Sequence, residues 1–302
     1  MTILITGGTG LVGQRLSQLL TEQGHQVIHL SRKENLKATY PAYQWNLKKG
    51  TIDLKAIEQA DYVVHLAGAN VAGQRWSTSY KKTIIDSRVK SAELLQKAIQ
   101  QVDNKPKGVI AASAVGYYGD RGKELLTEES SKGKGFLSDV VKVWEEANQK
   151  FENVVDRVVQ LRIGIVLSTQ GGALAKMLPS YMVRTGAYFG NGSQYYPWIH
   201  IDDLCQMFMV AIKEEAMQGT YNAVAPNPVT NKTLAYKIAE ALDKPSVILP
   251  TPAFTLKFAM GEMASIVLDG ANVSARKILD AGFQFEFTDV VEALRDLVKQ
   301  KI

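Results

Sequence analysis

The sequence predicts an α/β fold in which helices cover both faces of a mostly parallel, doubly wound sheet. Three observations support this prediction. A short apolar run at residues 3–5 leads into a glycine-rich loop and then into a helical pattern. Strand-like and helix-like segments continue to alternate as far as about residue 170, as expected for parallel strands joined by helices. Beyond that point the alternation ends, which predicts a smaller, mostly helical lobe at the carboxyl end of the chain.

Composition and charge exclude several classes of protein. With 302 residues, of which 46% are apolar and 22% charged, the chain can bury a large core. No apolar run is long enough to cross a bilayer, and the first residues lack the pattern of a secretion signal, so we expect a cytoplasmic protein with no membrane partner. The net charge of +5 is spread along the chain. Nucleic-acid binding would need a clustered basic stripe, and we expect none.

The loop between the first predicted strand and helix is typical of a dinucleotide site. Glycines stand at positions 7, 8, 10 and 13 in the sequence TILITGGTGLVG. Glycine permits a positive φ in such a Rossmann-type turn, and the helix that follows offers free N–H groups to a pyrophosphate. A glycine-rich turn without a ligand is the alternative, although four glycines would then weaken the fold for no gain. The predicted cofactor contacts in this loop are Gly7, Thr9, Gly10, Leu11, Val12 and Gly13.

The end of the second predicted strand distinguishes between the two nicotinamide dinucleotides. This strand, at residues 26–30, is followed by Ser31, Arg32 and Lys33. Sites that prefer NAD usually place a carboxylate here to hold both ribose hydroxyls. Arg32 can instead pair with the 2′-phosphate of NADP. We therefore predict that NADP is preferred over NAD, the alternative being a basic turn that is merely solvated.

Small residues follow a further predicted strand at residues 61–66 and let the backbone lie against the cofactor. Leu66, Ala67 and Gly68 therefore join the predicted site. His65 lies inside this strand, where a packed or hydrogen-bonded histidine is a better explanation than a catalytic one. The four histidines lack the spacing of metal ligands, and we predict no metal site. The single cysteine, Cys205, lies on an apolar helix face, which favours a buried, inert thiol.

Several segments with distinctive residues each follow a different predicted strand. They are the glycine loop, Arg32, the turn after residue 66, the stretch 113–118 and Gly164. The carboxyl ends of parallel strands lie at one edge of a sheet, so these segments should converge on a single crevice. Other elements predicted in this part include a helix at 77–101, a helix at 137–151, and a helix ending at Ile212 that is capped by Asp202 or Asp203.

We divide the chain into two parts that form one interlocked unit. Residues 1–225 are interpreted as the dinucleotide-binding domain, with pocket-forming insertions after residue 170. Residues 226–302 are interpreted as a substrate cap. Several prolines punctuate the cap, and its predicted helices span 232–242, 254–268, 273–281 and 289–300.

These motifs resemble those of the extended short-chain dehydrogenase/reductase superfamily, which includes nucleotide-sugar epimerases and dehydratases. The likeness covers Gly7, Gly10 and Gly13 of the loop, the segment DYVVHLAG, the strand end at Ser113 and residues 162–167. More narrowly, the whole chain resembles the atypical members called epimerase family proteins, through SAVGYYGD, WE at 144–145, GGAL at 171–174, WIH, APNP, GEMA and GFQF. The resemblance implies a Rossmann fold and a nicotinamide cofactor, but it does not supply a reaction.

One departure from the superfamily concerns the proton carrier. Catalytic members use a Tyr-x-x-x-Lys pair, in which the lysine lowers the pKa of the tyrosine. None of the twelve tyrosines here has a lysine four residues later, and the matching helix has Lys142 but no tyrosine. The resemblance leaves Ser113, Tyr117 and Tyr118 as catalytic candidates, because Ser113 matches the superfamily serine and either tyrosine can match its V-Y-G element. Alternatively, the two rings only line the pocket and stack on a ligand.

Four basic side chains are candidate contacts for an anionic substrate, namely Arg75, Arg88, Lys176 and His200. Ordinary surface charge, or for His200 a hydrogen bond at a helix start, explains each of them equally well. Two functions remain. The first is an NADP-dependent oxidoreductase, or an epimerase- or dehydratase-like enzyme, that acts on a small carbonyl or sugar-like substrate. The second is an NADP-binding regulatory or scaffold protein that has lost turnover. The expected partner is a small molecule, with a homodimer as one possible assembly.

Overall fold

The computed structural model describes residues 1–299. Its strands are β1 (Thr2–Thr6), β2 (Gln26–Ser31), β3 (Ala42–Asn46), β4 (Thr51–Ile52), β5 (Tyr62–His65), β6 (Gly108–Ala114), β7 (Leu125–Leu126), β8 (Arg157–Ile163), β9 (Ile165–Leu167), β10 (Thr185–Phe189), β11 (Tyr195–Tyr196), β12 (Trp198–His200), β13 (Gly219–Ala223), β14 (Val229–Thr230), β15 (Val247–Thr251) and β16 (Asn272–Val273). Its α-helices are α1 (Leu11–Glu22), α2 (Leu54–Glu58), α3 (Thr78–Gln100), α4 (Phe136–Gln149), α5 (Gly172–Met182), α6 (Ile201–Lys213), α7 (Asn231–Ala241), α8 (Ala253–Met260), α9 (Ser265–Leu268), α10 (Arg276–Asp280) and α11 (Val290–Lys299).

The central sheet confirms the predicted fold class. Eight strands lie in the order β13-β8-β6-β5-β1-β2-β3-β4. All neighbours in this order are parallel except β3 and β4. Crossover helices connect the parallel strands and cover both faces of the sheet, which is the doubly wound arrangement. Within residues 1–299, no helix is both long and apolar enough to cross a membrane.

Both faces of the sheet are apolar. Successive side chains of a strand point in opposite directions, so each buried strand supplies apolar side chains to both faces. Ile3 and Ile5 of β1 belong to the buried cluster that includes Leu204 of α6. Leu4, between them, belongs instead to the cluster that includes Leu95 of α3. Alternate residues of a buried parallel strand therefore pack against helices on opposite sides, and the strand reads as a continuous apolar run.

The start of α6 differs from the sequence prediction. His200, and neither aspartate, is the N-cap, because its Nδ1 accepts the N–H of Asp202 at 3.1 Å. Asp202 instead forms a bidentate pair with Arg15 of α1, at 2.6 and 2.9 Å. The N–H groups of Glu286 and Phe287 both donate to the buried carboxylate of Asp203. Asp202 and Asp203, the two carboxylates that the sequence predicts as caps, thus bind residues that are distant in sequence.

The helix predicted at 232–242 is present as α7, shifted by one residue, and the other predicted cap helices are shortened or divided. The helix expected at 254–268 is split into α8, a 3₁₀ turn (Gly261–Ala264) and α9. Gly261 has a φ of 60°, a left-handed conformation that ends a helix. The helix expected at 273–281 is reduced to α10, and residue 300 of the last predicted helix lies outside the described residues. The sequence analysis also missed β15, which pairs in parallel with β10.

Asp203 offers a test of how the cap is attached to α6. An asparagine keeps the shape of this side chain but replaces one acceptor oxygen by a donor, so one of the two bound N–H groups loses its partner. We expect Asp203→Asn to lower the free energy of unfolding by about 1–3 kcal/mol, as for other buried groups left without a hydrogen bond. Urea unfolding measures the change, with Asp280→Asn on the exposed surface of α10 as the control. Equal stability of the two variants would contradict this account of the attachment.

Candidate functional site

In the loop between β1 and α1, the main chain of the loop lies in close contact with the main chain of the first turn of α1. Gly7 has a φ of 73°, in the region that favours glycine. A Cβ on Gly13 would lie 2.4 Å from the carbonyl oxygen of Gly7, so the loop and the first turn of α1 can approach only without a side chain there. Gly10 is the N-cap, no side chain caps the helix, and its first turn holds no acidic residue. The first N–H groups of α1 are therefore available to a phosphate, as the sequence analysis expected.

A chain of buried hydrogen bonds holds the turn that follows β5. The Thr6 hydroxyl accepts the N–H groups of Leu66 and Ala67 at 3.2 and 3.1 Å. Its own proton is then directed to Nδ1 of His65, 2.8 Å away. Nδ1 must be the unprotonated nitrogen, which assigns the proton of the neutral ring to Nε2, and Nε2 faces the hydroxyl of Ser91 at 3.1 Å. Two of the predicted cofactor-contacting segments, the glycine loop and the turn at residues 66–68, thus share one polar support between β1, β5 and α3.

The charge state of His65 follows from its setting. Burial, and to a smaller extent the charge of Arg88, lowers the pKa of His65 to about 3. A second proton would have to sit on Nδ1, where it would face the Thr6 hydroxyl and break the hydrogen bond to it. His65 is therefore a neutral, packed histidine, as the sequence analysis expected from its place inside a strand.

Arg32 lies directly after β2, beside the end of β1. Its side chain is exposed, and its carbonyl oxygen accepts a hydrogen bond from the amide of Gln44 at 3.2 Å. Among residues 1–299, no acidic side chain forms an ion pair with its guanidinium. The sheet therefore brings Arg32, the glycine loop and the turn after β5 to the carboxyl ends of three adjacent strands.

The structure commits two of the three catalytic candidates to protein partners. The hydroxyl of Ser113, which is 2% exposed, donates to Glu145 at 2.5 Å, and Arg162 holds that carboxylate through two further hydrogen bonds of 2.8 Å. The Tyr118 hydroxyl donates to Asn222 at 2.7 Å and accepts from Arg162 at 2.9 Å. Burial raises the pKa of Tyr118 to about 12. Both hydroxyls therefore have protein hydrogen-bond partners in this structure.

Tyr117 is placed differently from its two neighbours. Its half-buried ring lies over the Arg162 guanidinium, 3.7 Å from ring centroid to Cζ. No hydrogen bond to its hydroxyl occurs within the described part of the chain. Tyr117 and Lys142 line the same groove of about 270 Å³, between α4 and the edge strand β13. The fold thus brings together a tyrosine and a lysine that are far apart in sequence.

Two apolar side chains of α4, Leu137 and Val141, lie beside Gly116, just after β6. A Cβ on Gly116 would lie 3.6 Å from Leu137 and 3.7 Å from Val141. Leu137 also packs on the apolar cluster of Trp76 and Met263, which joins α3 and α4 to the cap. Ser138, in the same turn of α4, donates to the carbonyl oxygen of Gly116 at 3.0 Å.

A larger cavity of about 990 Å³ opens between the loop after Tyr118 and the cap. Its lining includes Asp120, Lys123, Asn191, Gln194, Lys257, Glu262 and Asp269. The lining mixes both signs of charge, and burial together with the charge of Asp120 raises the pKa of Asp269. Among residues 1–299, no cluster of three or more potential ligands could hold a metal ion.

The four basic candidates for substrate contact occupy very different positions. Arg75 is exposed at the rim of this cavity, where its guanidinium lies beside Gly261. Arg88 is half-buried against Gly68, and Lys176 is exposed on α5. His200 does not fit the expectation: it is fully buried, caps α6, and stacks on Phe287 at 4.1 Å. The structure contains the alternative explanation for His200, a hydrogen bond at the start of a helix.

Sequence reasoning missed three residues that support the crevice, Thr6, Ser91 and Glu145. Thr6 ends an apolar, buried strand, whereas Ser91 and Glu145 are polar residues on the packed sides of α3 and α4. A buried polar group needs a hydrogen-bond partner, so this pattern is the signal that could have found them. Their partners come from other elements, and only the fold identifies them.

Comparisons with known proteins agree with this architecture. Residues 3–223 match the model of the NAD dependent epimerase/dehydratase family, and residues 251–297 match a domain of unknown function. The chain is 36% identical to the epimerase family protein YfhF of Bacillus subtilis over all of this chain and 99% of that protein. The crystal structure of human epimerase family protein SDR39U1 (isoform 2) with NADPH has a TM-score of 0.90 at 31% identity, covering 99% of both chains. A UDP-N-acetylglucosamine 4-epimerase from Bacillus cereus shares the fold, with a TM-score of 0.79 at 16% identity over 99% of both chains.

The network around His65 predicts a specific pH dependence of stability. Between its ordinary pKa of 6.5 and about 3, the unfolded chain binds a proton at His65 and the folded protein does not. The free energy of unfolding therefore falls as the pH is lowered through this range, and His29, whose pKa burial lowers to about 4, adds a change of the same sign. In His65→Gln, urea unfolding at a series of pH values should show a decline that is shallower by about 1.4 kcal/mol per pH unit.

The control for this experiment is His25→Gln, which removes a less buried histidine outside the network. It should leave most of the pH dependence in place. A His65→Gln variant with the same decline as the unsubstituted protein would show that the folded protein protonates His65, and would contradict the neutral charge state assigned here.

Proposed function

Because the chain belongs to the NAD-dependent epimerase/dehydratase family, we propose that it is an NADP(H)-binding oxidoreductase or epimerase-like enzyme for a small carbonyl or sugar-like substrate. One observation carries the proposal. The glycine loop, Arg32 and the turn at residues 66–68 lie together at the carboxyl ends of the adjacent strands β1, β2 and β5. In open parallel sheets this edge is where dinucleotides bind.

The residues present fit a phosphorylated dinucleotide. The pyrophosphate would bind the N–H groups of Leu11, Val12 and Gly13, beside Thr9, where the missing Cβ leaves the backbone accessible. Arg32 would hold the 2′-phosphate, since its guanidinium has no competing carboxylate partner in the described residues. When bound, the nicotinamide supplies or accepts a hydride. The human relative crystallised with NADPH supports the choice of NADP over NAD.

The cavity beside the cap is the proposed place of the substrate. Its volume of about 990 Å³ is enough for a small molecule with polar groups. It borders Asp120, which directly follows the Tyr118 turn, and Gly261 and Glu262 at the base of the cap. A ligand there would lie between the dinucleotide-binding sheet and the cap.

Tyr117 is the catalytic candidate that we retain as proton carrier. Its hydroxyl has no protein partner within residues 1–299, and Lys142 borders the same groove. This groove is separate from the cap cavity, so Tyr117 can act only on a substrate that reaches from the cavity to the groove. We assign Ser113 and Tyr118 to the support of the strand ends, because both hydroxyls serve the network around Arg162. A proton carrier must be free to exchange its proton with a ligand, and these two are not.

A second candidate function is favoured by the same geometry. Leu137 and Val141 present apolar side chains close to the end of β6, and the nearby hydroxyls of Ser113 and Tyr118 are committed. A protein built in this way could hold NADP(H) without turnover and act as a redox-responsive regulator or scaffold. Turnover therefore decides between the two functions, and cofactor binding does not.

The cofactor proposal is tested by substituting Arg32. Removal of a charge-assisted contact to the 2′-phosphate should raise the Kd of NADPH about tenfold in Arg32→Ala and leave the Kd of NADH unchanged. Calorimetry on ligand-free protein measures both constants. Arg276→Ala is the matched control, because this exposed arginine pairs with Asp280 on α10. Stronger binding of NADH to the unsubstituted protein would overturn the predicted preference.

The choice between enzyme and regulator is tested by NADPH oxidation with a panel of carbonyl compounds. If Tyr117 carries the proton, Tyr117→Phe should lower kcat by about 100-fold or more while the Kd of NADPH stays the same. Tyr236→Phe, on the exposed surface of α7, should have no effect. Full turnover by Tyr117→Phe would exclude Tyr117 as proton carrier. Tight NADPH binding with no turnover on any compound would support the regulatory function instead.

A further inference from the structure

Arg88 is a half-buried cation without an anionic partner. Its Nη1 donates to the carbonyl oxygens of Ala69 and Ile84 at 3.1 and 3.0 Å. The guanidinium stacks on Trp144 of α4, with 4.7 Å between Cζ and the ring centroid. No acidic side chain of residues 1–299 forms an ion pair with it, its buried Nε makes no hydrogen bond, and Nη2 has no partner among these residues.

Two other arginines show how this chain otherwise satisfies a buried guanidinium. Arg162 holds the carboxylate of Glu145 through two hydrogen bonds. Arg157 donates to four main-chain carbonyls, at residues 211, 212, 214 and 217, near the carboxyl end of α6. A buried charge without such compensation is costly. Arg88 therefore stands apart, with two of its three nitrogens unused.

The position of Arg88 connects it to the crevice. A Cβ on Gly68 would lie 3.1 Å from Cζ of Arg88, so the guanidinium lies directly against the exposed glycine of the turn after β5. The backbone at Arg88 is fixed by Ser91, whose hydroxyl donates to the Arg88 carbonyl and faces His65. The network that shapes the turn therefore also fixes the part of α3 that carries this cation.

We propose that Arg88 is an oxyanion receptor beside the turn after β5, and that a carboxylate or phosphate group of the bound ligand binds its free Nη2. This nitrogen lies next to the exposed Gly68, and a guanidinium N–H forms charge-assisted hydrogen bonds with carboxylate and phosphate oxygens. The proposal rests on the proposed function, since it names the substrate class of that crevice as anionic. The two sources of such a group are the substrate and the phosphates of the cofactor.

The test measures thermal unfolding of the full chain, with and without saturating NADPH, as inorganic phosphate or acetate is added. Sodium chloride at equal ionic strength is the reference salt. We expect each oxyanion to raise the Tm of the unsubstituted protein in a saturable way. Arg88→Met, which keeps the length of the side chain without its charge, should weaken this apparent binding at least tenfold. Lys90→Met is the matched control, because Lys90 is exposed on the same helix and pairs with Asp86.

The NADPH arm distinguishes the two sources of the group. An oxyanion effect that persists in saturating NADPH assigns the receptor to the substrate. An effect that NADPH abolishes, together with at least tenfold weaker NADPH binding in Arg88→Met, assigns it to a cofactor phosphate. Calorimetry of NADPH on the same samples tests the proposed function separately, because cofactor binding without any oxyanion effect removes this inference alone.

Gly68→Ala is the second variant, in case Arg88→Met does not fold. Its methyl group would press on the guanidinium and should weaken the oxyanion effect without removing the charge. The proposal is overturned if the unsubstituted protein shows no saturable response to either oxyanion, or if the response survives in both Arg88→Met and Gly68→Ala.

Discussion

The shape of the crevice depends on one hydroxyl group. Thr6 ends β1, and its Oγ1 accepts two N–H groups of the turn after β5 while its proton is directed to His65. A hydroxyl has a single proton, and the Thr6 hydroxyl donates it to Nδ1 of His65. The neutral ring therefore carries its own proton on Nε2, which donates to the hydroxyl of Ser91. Strand order places β1 between β2 and β5. The same residue that begins the glycine loop thus controls the neighbouring turn and, through α3, the backbone at Arg88.

A second buried network, centred on Arg162, engages the hydroxyl groups of Ser113 and Tyr118, which the family resemblance suggests as catalytic. Arg162 lies opposite Ser113 in the pairing of β6 with β8 and needs acceptors for its donors. Glu145 and the Tyr118 hydroxyl supply them, and Ser113 completes the coordination of Glu145. Groups that satisfy a buried charge are not available to a ligand unless the charge is left unpaired. The polar residues around the end of β6 therefore stabilise the sheet, and a proton carrier has to come from outside this network.

The sequence predicted those features that depend on local pattern and strand order. The helix expected at 77–101 is present as α3, with Ser77 as its cap, because apolar periodicity and a capping side chain act within one segment. The gathering of the glycine loop, Arg32 and the turn after β5 followed from parallel topology alone. Predictions failed where several polar residues competed for partners in other elements. Local sequence could not decide that Asp202 pairs with Arg15, that Asp203 binds the cap, and that His200 is left to cap α6.

The distribution of charge suggests where ligands are discriminated. At the rim of the large cavity, Lys123 and Lys257 face Asp120 and Asp269, and these exposed groups of opposite sign largely offset one another in water. Arg88 lies outside the lining of this cavity, beside Gly68 in the turn after β5, where it is partly withdrawn from water and has no counter-charge in the described residues. The effective dielectric is lower there, so one unbalanced charge outweighs several exposed ones. Selectivity between neutral and anionic ligands should therefore arise beneath Gly68, at the junction of the turn with α3, and the cap would contribute chiefly shape.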